Sequence, residues 1–517
     1  MLYMDYFDRG VAQFPDRVFV QDDDLSVSYR KAGDDVDRLA SWLIAAGLSP
    51  GDRAATYAFN SSRNLMSKYA IIRAGGVWVP INFRYTAQQV ADHLNAYDVE
   101  TLIFDEQLLD QVTALRDICP GLKRFICLGE SQSFAPSFED CVQAGKTPAR
   151  FPHREMTDPV VMLSTSGTTG HPKGVLLSNR SVATVIASHQ ITMPFDAPPV
   201  HLVAAPMSHA AGVFASSILS IGGSNQILPA PDPLLIMQSI EACRANVIFL
   251  PPTLIYMMLS HPRVREFDYS SLKYILYGGA PMSVHKLREA LDVFGPVLSQ
   301  GYGQSEVPNC ISFFSPRDHC DAVASPGLEH RIASAGRPGP MCRVEIMTDD
   351  GVILPPGETG EIVCRSDLLM NEYYRNEEET AAVSSFGWHH TGDIGRKDED
   401  GFLYIVDRKK DLIISGGFNV FPAEVEQVLL AHPAVQDCAV IGVPDEKWGE
   451  AVVAAIELKS GQTAVADEII SSCRGVLGGI KTPKRIDFWA ELPRSPVGKI
   501  LRREVRRTYW EGHDREI

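Results

Sequence analysis

The segment LSTSGTTGHPKGV, residues 163–175, places hydroxyl side chains and glycines ahead of a lysine, between two β-prone runs. The backbone N–H groups and hydroxyls of such a loop can cradle a phosphate, and the lysine adds a positive charge. Ordering a glycine-rich stretch costs conformational entropy, which a bound ligand would offset. A Walker A loop is excluded, because the glycine spacing differs and Lys173 is followed by Gly174. Taken alone, a flexible surface turn explains the segment as well.

Four more polar segments follow, in the order SQGYGQSE (299–306), GWHHTGD (387–393), DRKKDLIISGGFNVFPAEVE (407–426) and PRSPVGKI (493–500). Glu306 ends the first of these segments, and Lys499 lies in a P-V-G-K stretch whose proline and glycine are typical of a loop. His389 and His390 would point apart on a strand, and without a third ligand they predict a structural role.

These ordered motifs resemble those of the AMP-forming adenylating superfamily, which comprises acyl-CoA synthetases, carrier-protein adenylation domains and firefly luciferase. The resemblance extends from FPDRVFV near the start of the sequence to GKILRREV near its end. It implies that residues 163–175 form the family's phosphate loop, which holds the β- and γ-phosphates of ATP until pyrophosphate leaves. The implied phosphate-loop residues are Thr165, Ser166, Gly167, Thr168, Thr169 and Lys173.

The resemblance also implies the other nucleotide contacts. Tyr302 is expected to pack on adenine, opposite the GGAP segment (278–281). Glu306 is expected to accompany Mg²⁺, and Asp393 is expected to bond the ribose hydroxyls together with Arg408. The implied residues of this set are Gly279, Ala280, Tyr302, Gly303, Ser305, Asp393 and Arg408.

The two chemical steps are implied by the same likeness. Lys499 is expected to be the catalytic lysine of acyl-adenylate formation, with Glu306 and His209 beside the reacting groups. The C-terminal lobe is then expected to rotate about Lys410. Gly417 is expected to border the channel through which the CoA thiol enters.

An acyl pocket is implied around His209, Ala210, Gly212 and Gly301. The small residues after His209 favour a roomy apolar pocket that fits a fatty, aryl or alicyclic acid. Helix packing explains the same residues equally well, so both explanations stay open. The window 205–215 holds no acidic residue, which argues against an amino-acid-activating enzyme.

Regular elements must position these residues. Apolar residues at helical spacing (Val36, Leu39, Ala40, Leu43 and Ile44) predict a helix within residues 29–52. Strand-like and helical stretches alternate up to residue 335, which predicts an α/β body of layered subdomains with largely parallel sheets. Shorter strands and glycine turns then predict a small β-rich unit. The expected organisation is an N-terminal AMP-binding domain over 1–409 and a small mobile α+β lobe over 410–517 that carries the catalytic lysine.

Composition narrows the class of protein further. The 517 residues allow two to four domains, and a formal net charge of −16 argues against nucleic-acid and anionic-membrane binding. The ten cysteines occur without a C-x-x-C pair, which is typical of reduced thiols in a cytosolic protein. The longest apolar run is split by prolines and predicts no membrane span. The expected location is therefore the cytoplasm, and the oligomeric state stays open, a homodimer included.

The predicted function is an ATP-dependent acid–thiol ligase. A carboxylic acid and ATP give an acyl-adenylate and pyrophosphate, and CoA then gives acyl-CoA and AMP. An enzyme that loads an acyl or aryl group onto a carrier protein is the alternative, and a luciferase-like oxygenase also stays open. A binding paralogue without activity is disfavoured because Lys499, Glu306 and Asp393 are all present.

Overall fold

The structure is a computed structural model that describes residues 1–23, 25–146, 150–166, 172–280, 282–445, 447–494 and 500–510. Four residues of the predicted site lie outside these ranges: Gly167, Thr168, Thr169 and Lys499. The side chain of Ser166 is likewise outside the description.

Helices and strands alternate over most of the chain, as the sequence predicts. The strands are β1 Val18–Gln21, β2 Ser26–Ser28, β3 Arg53–Tyr57, β4 Val77–Ile81, β5 Val99–Phe104, β6 Arg124–Cys127, β7 Pro159–Ser166, β8 Pro172–Ser178, β9 Val200–Val203, β10 Ser224–Ile227, β11 Val247–Leu250, β12 Tyr274–Gly278, β13 Leu298–Gln304, β14 Val307–Phe314, β15 Arg337–Pro338, β16 Cys342–Met347, β17 Thr359–Ser366, β18 Glu372–Tyr373, β19 His389–Lys397, β20 Leu403–Arg408, β21 Ile413–Ser415, β22 Phe418–Val420, β23 Val435–Asp445, β24 Gly449–Leu458 and β25 Arg485–Trp489. The α-helices are α1 Tyr3–Gln13, α2 Tyr29–Ala45, α3 Ser62–Arg73, α4 Ala87–Ala96, α5 Leu109–Ile118, α6 Phe138–Ala144, α7 Asn179–Thr192, α8 Ala210–Phe214, α9 Pro233–Cys243, α10 Pro252–Ser260, α11 Val284–Phe294, α12 Pro316–Ala324, α13 Glu377–Ala382, α14 Pro422–Leu430, α15 Ala466–Lys481 and α16 Arg502–Trp510.

Two large sheets form the framework of the N-terminal part. Within the described residues, one has the strand order β15-β14-β13-β12-β11-β9-β10-β1-β2 and the other β18-β8-β7-β4-β3-β5-β6. Neighbours from β1 to β13 in the first sheet pair in parallel, as do β7, β4, β3, β5 and β6 in the second. Every residue of β4 is buried, as expected for a parallel strand covered on both faces. The predicted α/β fold class with largely parallel sheets is confirmed.

Helix α2 shows how the apolar spacing is used. Ser28 caps its start by accepting a hydrogen bond from the N–H of Lys31. Val36, Leu39 and Ala40 are fully buried, and the helix ends at Ala45, within the predicted span. Among the described residues, no helix is both long and apolar enough to cross a bilayer.

Packing divides the chain into two compact units. The first contains Met1–Val344, Cys364–His389 and Gly401–Leu403, and the second contains Glu345–Val363, His390–Asp400 and Tyr404–Ile517. In the second unit, α14 and α15 pack on one face of the β23–β24 sheet, while α16 packs on the other. The predicted domain boundary at residues 409/410 stays a prediction.

Candidate active site

Three of the predicted site segments follow parallel strands of the first sheet. His209 lies in the loop after β9, Gly279 and Ala280 come directly after β12, and residues 301–306 complete β13 and the turn beyond it. Strands β9, β11, β12 and β13 are successive parallel neighbours. The carboxyl ends of parallel strands meet at one edge, where α/β proteins bind their ligands. These segments therefore share one edge of the sheet.

Glycines let the backbone of β13 come close to both of its neighbours, β12 and β14, at this edge. A Cβ on Gly278 would lie 2.6 Å from the carbonyl oxygen of Gly301, and one on Gly303 would lie 2.4 Å from the backbone nitrogen of Asn309. Gly279 has φ +80°, and a Cβ there would meet nothing within 4 Å. The backbones of these strand ends are therefore closely packed, whereas open space lies beside Gly279.

Glu306 lies in the turn between β13 and β14 and is nearly buried. Its Oε1 accepts a hydrogen bond from the hydroxyl of Tyr373 at 2.6 Å, and its carbonyl accepts one from the N–H of Met370 at 2.8 Å. Tyr373 belongs to β18, where it pairs with Val175 of β8. Glu306 is therefore tied to the strand that leads out of the predicted phosphate loop.

Thr165 and Lys173, two residues of the predicted phosphate loop, are partners across β7 and β8. The Nζ of Lys173 lies 2.7 Å from Oε2 of Glu379 and 5.5 Å from the ring centre of Tyr373. The lysine and Glu306 therefore both contact Tyr373. A phosphate bound here would compete with Glu379 for the lysine, because both are anions.

The second unit holds a preformed ion pair between two predicted ribose ligands. The Nε of Arg408, at the end of β20, lies 2.6 Å from Oδ1 of Asp393 in β19. The Asp393 side chain is 5% exposed and the Arg408 side chain is 41% exposed. The N–H of Asp393 also donates to Oγ1 of Thr391 at 3.1 Å, which holds the local backbone. The pair therefore combines a fixed carboxylate with an accessible guanidinium.

Gly416 and Gly417 form the two-residue turn between β21 and β22. Their φ angles are +58° and +81°, as tight hairpin turns require, and glycine adopts such angles most readily. A Cβ on Gly417 would meet nothing within 4 Å, whereas one on Gly416 would lie 2.7 Å from the Trp448 ring. The turn geometry thus explains Gly417, and the open space beside it is compatible with the predicted channel. The predicted hinge, Lys410, is exposed in the 3₁₀ turn Lys409–Asp411.

His209 directly precedes the short helix α8. Its Nδ1 lies 2.9 Å from Oγ of Ser208. The pKa of the imidazole is lowered, because the surrounding protein disfavours the charged ring and Arg84 repels it. His209 is nevertheless exposed to solvent, which weakens both effects. The direction of the shift favours the neutral ring.

The small residues after His209 have contacts of their own. A Cβ on Gly212 would lie 1.8 Å from the carbonyl oxygen of Met207, so a close backbone contact requires this glycine. Gly301 has a similar contact, because a Cβ there would lie 2.9 Å from the carbonyl oxygen of Asn309. Packing, one of the two explanations left open by the sequence, thus accounts for these glycines. The pocket role of Ala210, Gly212 and Gly301 stays a prediction.

The sequence did not predict that Tyr373 would be the partner of Glu306, or Glu379 the partner of Lys173. Tyr373 and Glu379 both lie in the segment MNEYYRNEEET (370–380), and only the aromatic and acidic character of that segment could have signalled a site. The two histidines have structural partners: Gln304 donates to Nε2 of His389 at 3.0 Å, and Nδ1 of His390 lies 3.1 Å from Oε2 of Glu361. The described part of the chain contains no cluster of three or more His, Cys, Asp or Glu residues suited to a metal ion.

Two family models match the chain. Residues 7–374 match that of AMP-binding enzymes, and residues 424–499 match that of the AMP-binding enzyme C-terminal domain. A medium/long-chain-fatty-acid–CoA ligase of Mycobacterium tuberculosis is 36% identical, with 83% of this chain and 76% of that protein covered. A feruloyl-CoA synthase of an Amycolatopsis species is 35% identical, over 97% and 98% of the two chains. A fatty acid–[acyl-carrier-protein] ligase of Streptomyces coeruleorubidus is 33% identical, over 95% and 93%.

Solved structures resemble the whole chain. An amide bond synthetase from Marinactinospora thermotolerans superposes with a TM-score of 0.89 at 31% identity, covering 98% of this chain and 100% of that one. The ATP-bound MatB of Rhodopseudomonas palustris superposes with a TM-score of 0.87 at 28% identity, covering 99% of each chain.

Proposed function

The chain belongs to the AMP-binding enzyme family and is an acid–thiol ligase of the acyl-CoA synthetase class, and we propose that its acid is bulky and apolar. One observation carries this conclusion: a feruloyl-CoA synthase aligns with 97% of the chain at 35% identity. The relatives confirm the predicted enzyme class, and ATP, CoA and a carboxylic acid are its substrates. The cytoplasmic location and a homodimer stay predictions.

The nucleotide-binding roles predicted from the sequence form part of the proposal. Lys173 and the phosphate loop hold the β- and γ-phosphates, and Tyr302 packs on the adenine. Asp393 and Arg408 hold the ribose hydroxyls. The contact between Arg408 and Asp393, with its accessible guanidinium, supports this role, because a carboxylate and a guanidinium together can accept from and donate to a diol.

Mg²⁺ fits Glu306 by the chemistry of the donor. Oxygen ligands suit this ion, which commonly takes one or two carboxylates together with phosphate oxygens and water. Tyr373 holds Oε1 of Glu306 in place, so the orientation of the carboxylate is set before a ligand arrives. The bound ion would offset negative charge on the triphosphate.

In the first step, a carboxylate oxygen of the acid attacks the α-phosphorus of ATP and pyrophosphate leaves. Two anions approach each other, so a cation near the transferring group lowers the barrier. Lys499 supplies that charge. The lowered pKa of His209 favours the neutral imidazole, which can donate a hydrogen bond to the acid.

In the second step, the sulfur of CoA attacks the carbonyl carbon of the acyl-adenylate. The new C–S bond forms as the bond to the AMP oxygen breaks, and the thiol proton passes to solvent. Rotation about Lys410 brings the turn at Gly417 to the thiol path. This division gives the two lobes different tasks in the two half-reactions.

The proposal of a bulky acid is supported by the relatives' names, which specify medium- to long-chain fatty acids and ferulate. Transfer of the acyl group to an acceptor other than CoA is the competing possibility. The carrier-protein ligase and the amide bond synthetase that resemble this chain are named for an acyl-carrier protein and an amide bond. CoA is favoured because the ligases named for CoA include the relative that is 36% identical.

The test is pyrophosphate release from MgATP over a series of acids, from acetate through hexanoate and dodecanoate to ferulate. Each methylene buried in the acyl pocket contributes about 0.8 kcal/mol, so kcat/KM should rise about fourfold per methylene until the pocket is filled. Product formation is then measured with CoA, a pantetheinylated carrier protein or an amine as the acceptor. Acyl-CoA should form fastest.

A preference for acetate would contradict the proposed acid class, and a faster transfer to the carrier protein or the amine would replace CoA as the acceptor. The control omits the acid, because an adenylating ligase releases pyrophosphate only when an acid is present.

A further inference from the structure

The loop before helix α3 holds one side of the segment that carries His209. The Nδ2 of Asn60 donates to the carbonyl oxygen of Ala205 at 3.0 Å, and Oδ1 of Asn60 accepts from the N–H of Met207 at 2.9 Å. One amide side chain thus satisfies two backbone groups just before His209. Because both bonds end on backbone atoms, they fix the path of the chain rather than one side chain.

Lys68, within α3, holds the other side. Its Nζ donates to the carbonyl oxygen of Gly212 at 2.7 Å and to Oγ of Ser216 at 2.9 Å. The same Oγ hydrogen-bonds with the hydroxyls of Tyr3 and Tyr69, at 2.5 and 2.9 Å. Helix α8 and the turn after it are thereby joined to a network of buried polar groups.

Lys68 is buried among aromatic rings, and the role of its amine there is to form these hydrogen bonds. The side chain is 2% exposed, and Nζ lies 5.4, 5.3 and 4.9 Å from the ring centres of Tyr3, Tyr69 and Trp78. The bonds of the described residues include no carboxylate partner for it, and burial lowers the pKa of the ammonium to about 7. An apolar side chain would occupy this place without the cost of burying a charge. The benefit of the amine therefore lies in the groups that it bonds.

We propose that Asn60 and Lys68 are positioning residues for acid activation, which fix the segment 205–216 from both sides and thereby place His209 against the acid. This inference rests on the proposed function, since His209 receives its role at the acid there. The two side chains act from one element, α3 with its preceding loop, and they reach the segment through backbone and Ser216 contacts. A shift of that element would move the whole segment.

The kinetic test compares Lys68→Met and Asn60→Ala with a matched control, Ser67→Ala. Ser67 is buried in the same helix, but its hydroxyl bonds only to the carbonyl oxygen of Arg63, at 2.8 Å, in the described structure. A misplaced reactive group costs about 100-fold per ångström, so kcat/KM for the acid should fall about 10- to 100-fold in the two variants. The KM for ATP should stay within about twofold of the wild-type value, and Ser67→Ala should change neither.

A second measurement does not depend on activity. Hydrogen–deuterium exchange of peptides covering residues 205–216 should quicken about fivefold in Lys68→Met and Asn60→Ala, because backbone anchors are lost. Ser67→Ala should leave exchange there unchanged. Melting curves identify any variant that loses its overall fold, and Lys68→Gln, which keeps a donor, should restore part of the protection.

The outcomes distinguish a failure of the anchoring role from a failure of the proposed function. Unchanged exchange over 205–216 in folded variants overturns the inference, and so does an equal loss of acid and ATP affinity. If the wild-type protein activates no acid while the variants show faster exchange, the proposed function fails and the anchoring stands.

Discussion

At the scale of single residues, the pair Asp393–Arg408 offers a direct test of nucleotide binding. Asp393→Asn keeps the shape of the side chain and removes its charge, so Arg408 loses its ionic partner. Hydrogen bonds to a charged group contribute about 1.5–3 kcal/mol, which corresponds to a rise in the KM for ATP of about 10- to 100-fold. Steady-state pyrophosphate release at saturating acid measures this KM.

Asp398→Asn is the matched control. Asp398 directly follows β19, the strand that contains Asp393, and its carboxylate accepts from the hydroxyl of Tyr404 at 3.0 Å. The KM for ATP of this variant should equal that of the wild type. The ribose role would be wrong if Asp393→Asn bound ATP as tightly as the control.

The same scale shows what a linear pattern can and cannot predict about a site. Tyr302, Ser305 and Glu306 lie within five residues, and the resemblance of this short motif to the family's pattern nominated them. Tyr373, which holds Glu306 at 2.6 Å, is 67 residues away along the chain. Sheet pairing brings it there, because β18 adds to the edge strand β8. Contacts of this kind depend on topology, which the spacing of residues does not encode.

At the scale of elements, periodicity predicted α2 and the buried strands because each has an apolar face or core. It did not predict the role of α3. That helix buries nearly all of its residues, Lys68 included, and a lysine in a helix is ordinarily expected at the surface. The amine is acceptable inside because Gly212 and Ser216, 144 and 148 residues away, supply acceptors.

The hairpin turn at Gly416–Gly417 carries an element-scale prediction about the thiol path. Gly417→Asn keeps a residue that tolerates positive φ, whereas Gly417→Leu adds both a bulky side chain and backbone strain. If the channel passes this turn, both variants should release pyrophosphate in the first turnover like the wild type. Acyl-CoA formation should fall in the order wild type, Asn, Leu, and the acyl-adenylate should accumulate.

Rapid-quench measurement of both half-reactions tests this order, and melting curves show how much the strained turn destabilises the protein. Gly461→Asn is the control, because Gly461 also has positive φ, at +75°, with nothing within 4 Å of its Cβ position. Thioester formation by Gly417→Leu at the wild-type rate would remove the channel role from this turn.

At the scale of the whole molecule, the sequence predicted the α/β class and the family, because ordered motifs and alternating elements extend over nearly the whole chain. The limits of compact units are harder to predict. Residues 345–363 and 390–400 form one compact unit with the C-terminal residues, although residues 364–389 and 401–403, which lie between them along the chain, belong to the other unit. Such a grouping arises from tertiary contacts between segments that are distant along the chain, and local composition carries no record of it.

Lys499 is proposed to act in only one of the two half-reactions, and this can be tested with Lys499→Ala. The residues described on either side of the lysine are anchored: Arg494 lies 2.8 Å from Asp437 and 3.0 Å from Glu457, and Arg502 forms an ion pair with Glu426. Because these anchors do not involve Lys499, Lys499→Ala should leave the lobe folded. Its melting curve should therefore match that of Lys459→Ala, a control whose amine bonds to the carbonyl oxygen of Pro433.

The two half-reactions should respond differently to Lys499→Ala. One preorganised charge contact is worth about 10²–10³ in rate, so acyl-adenylate formation should fall by at least that factor. Chemically supplied acyl-adenylate should still react with CoA near the wild-type rate, since the proposed rotation of the lobe moves the lysine away from the reacting groups in this step. Single-turnover assays of each step measure the difference. If a folded variant loses both steps equally, Lys499 does not act in adenylation alone. The proposal that the lobe takes a different orientation in each half-reaction would then also be wrong.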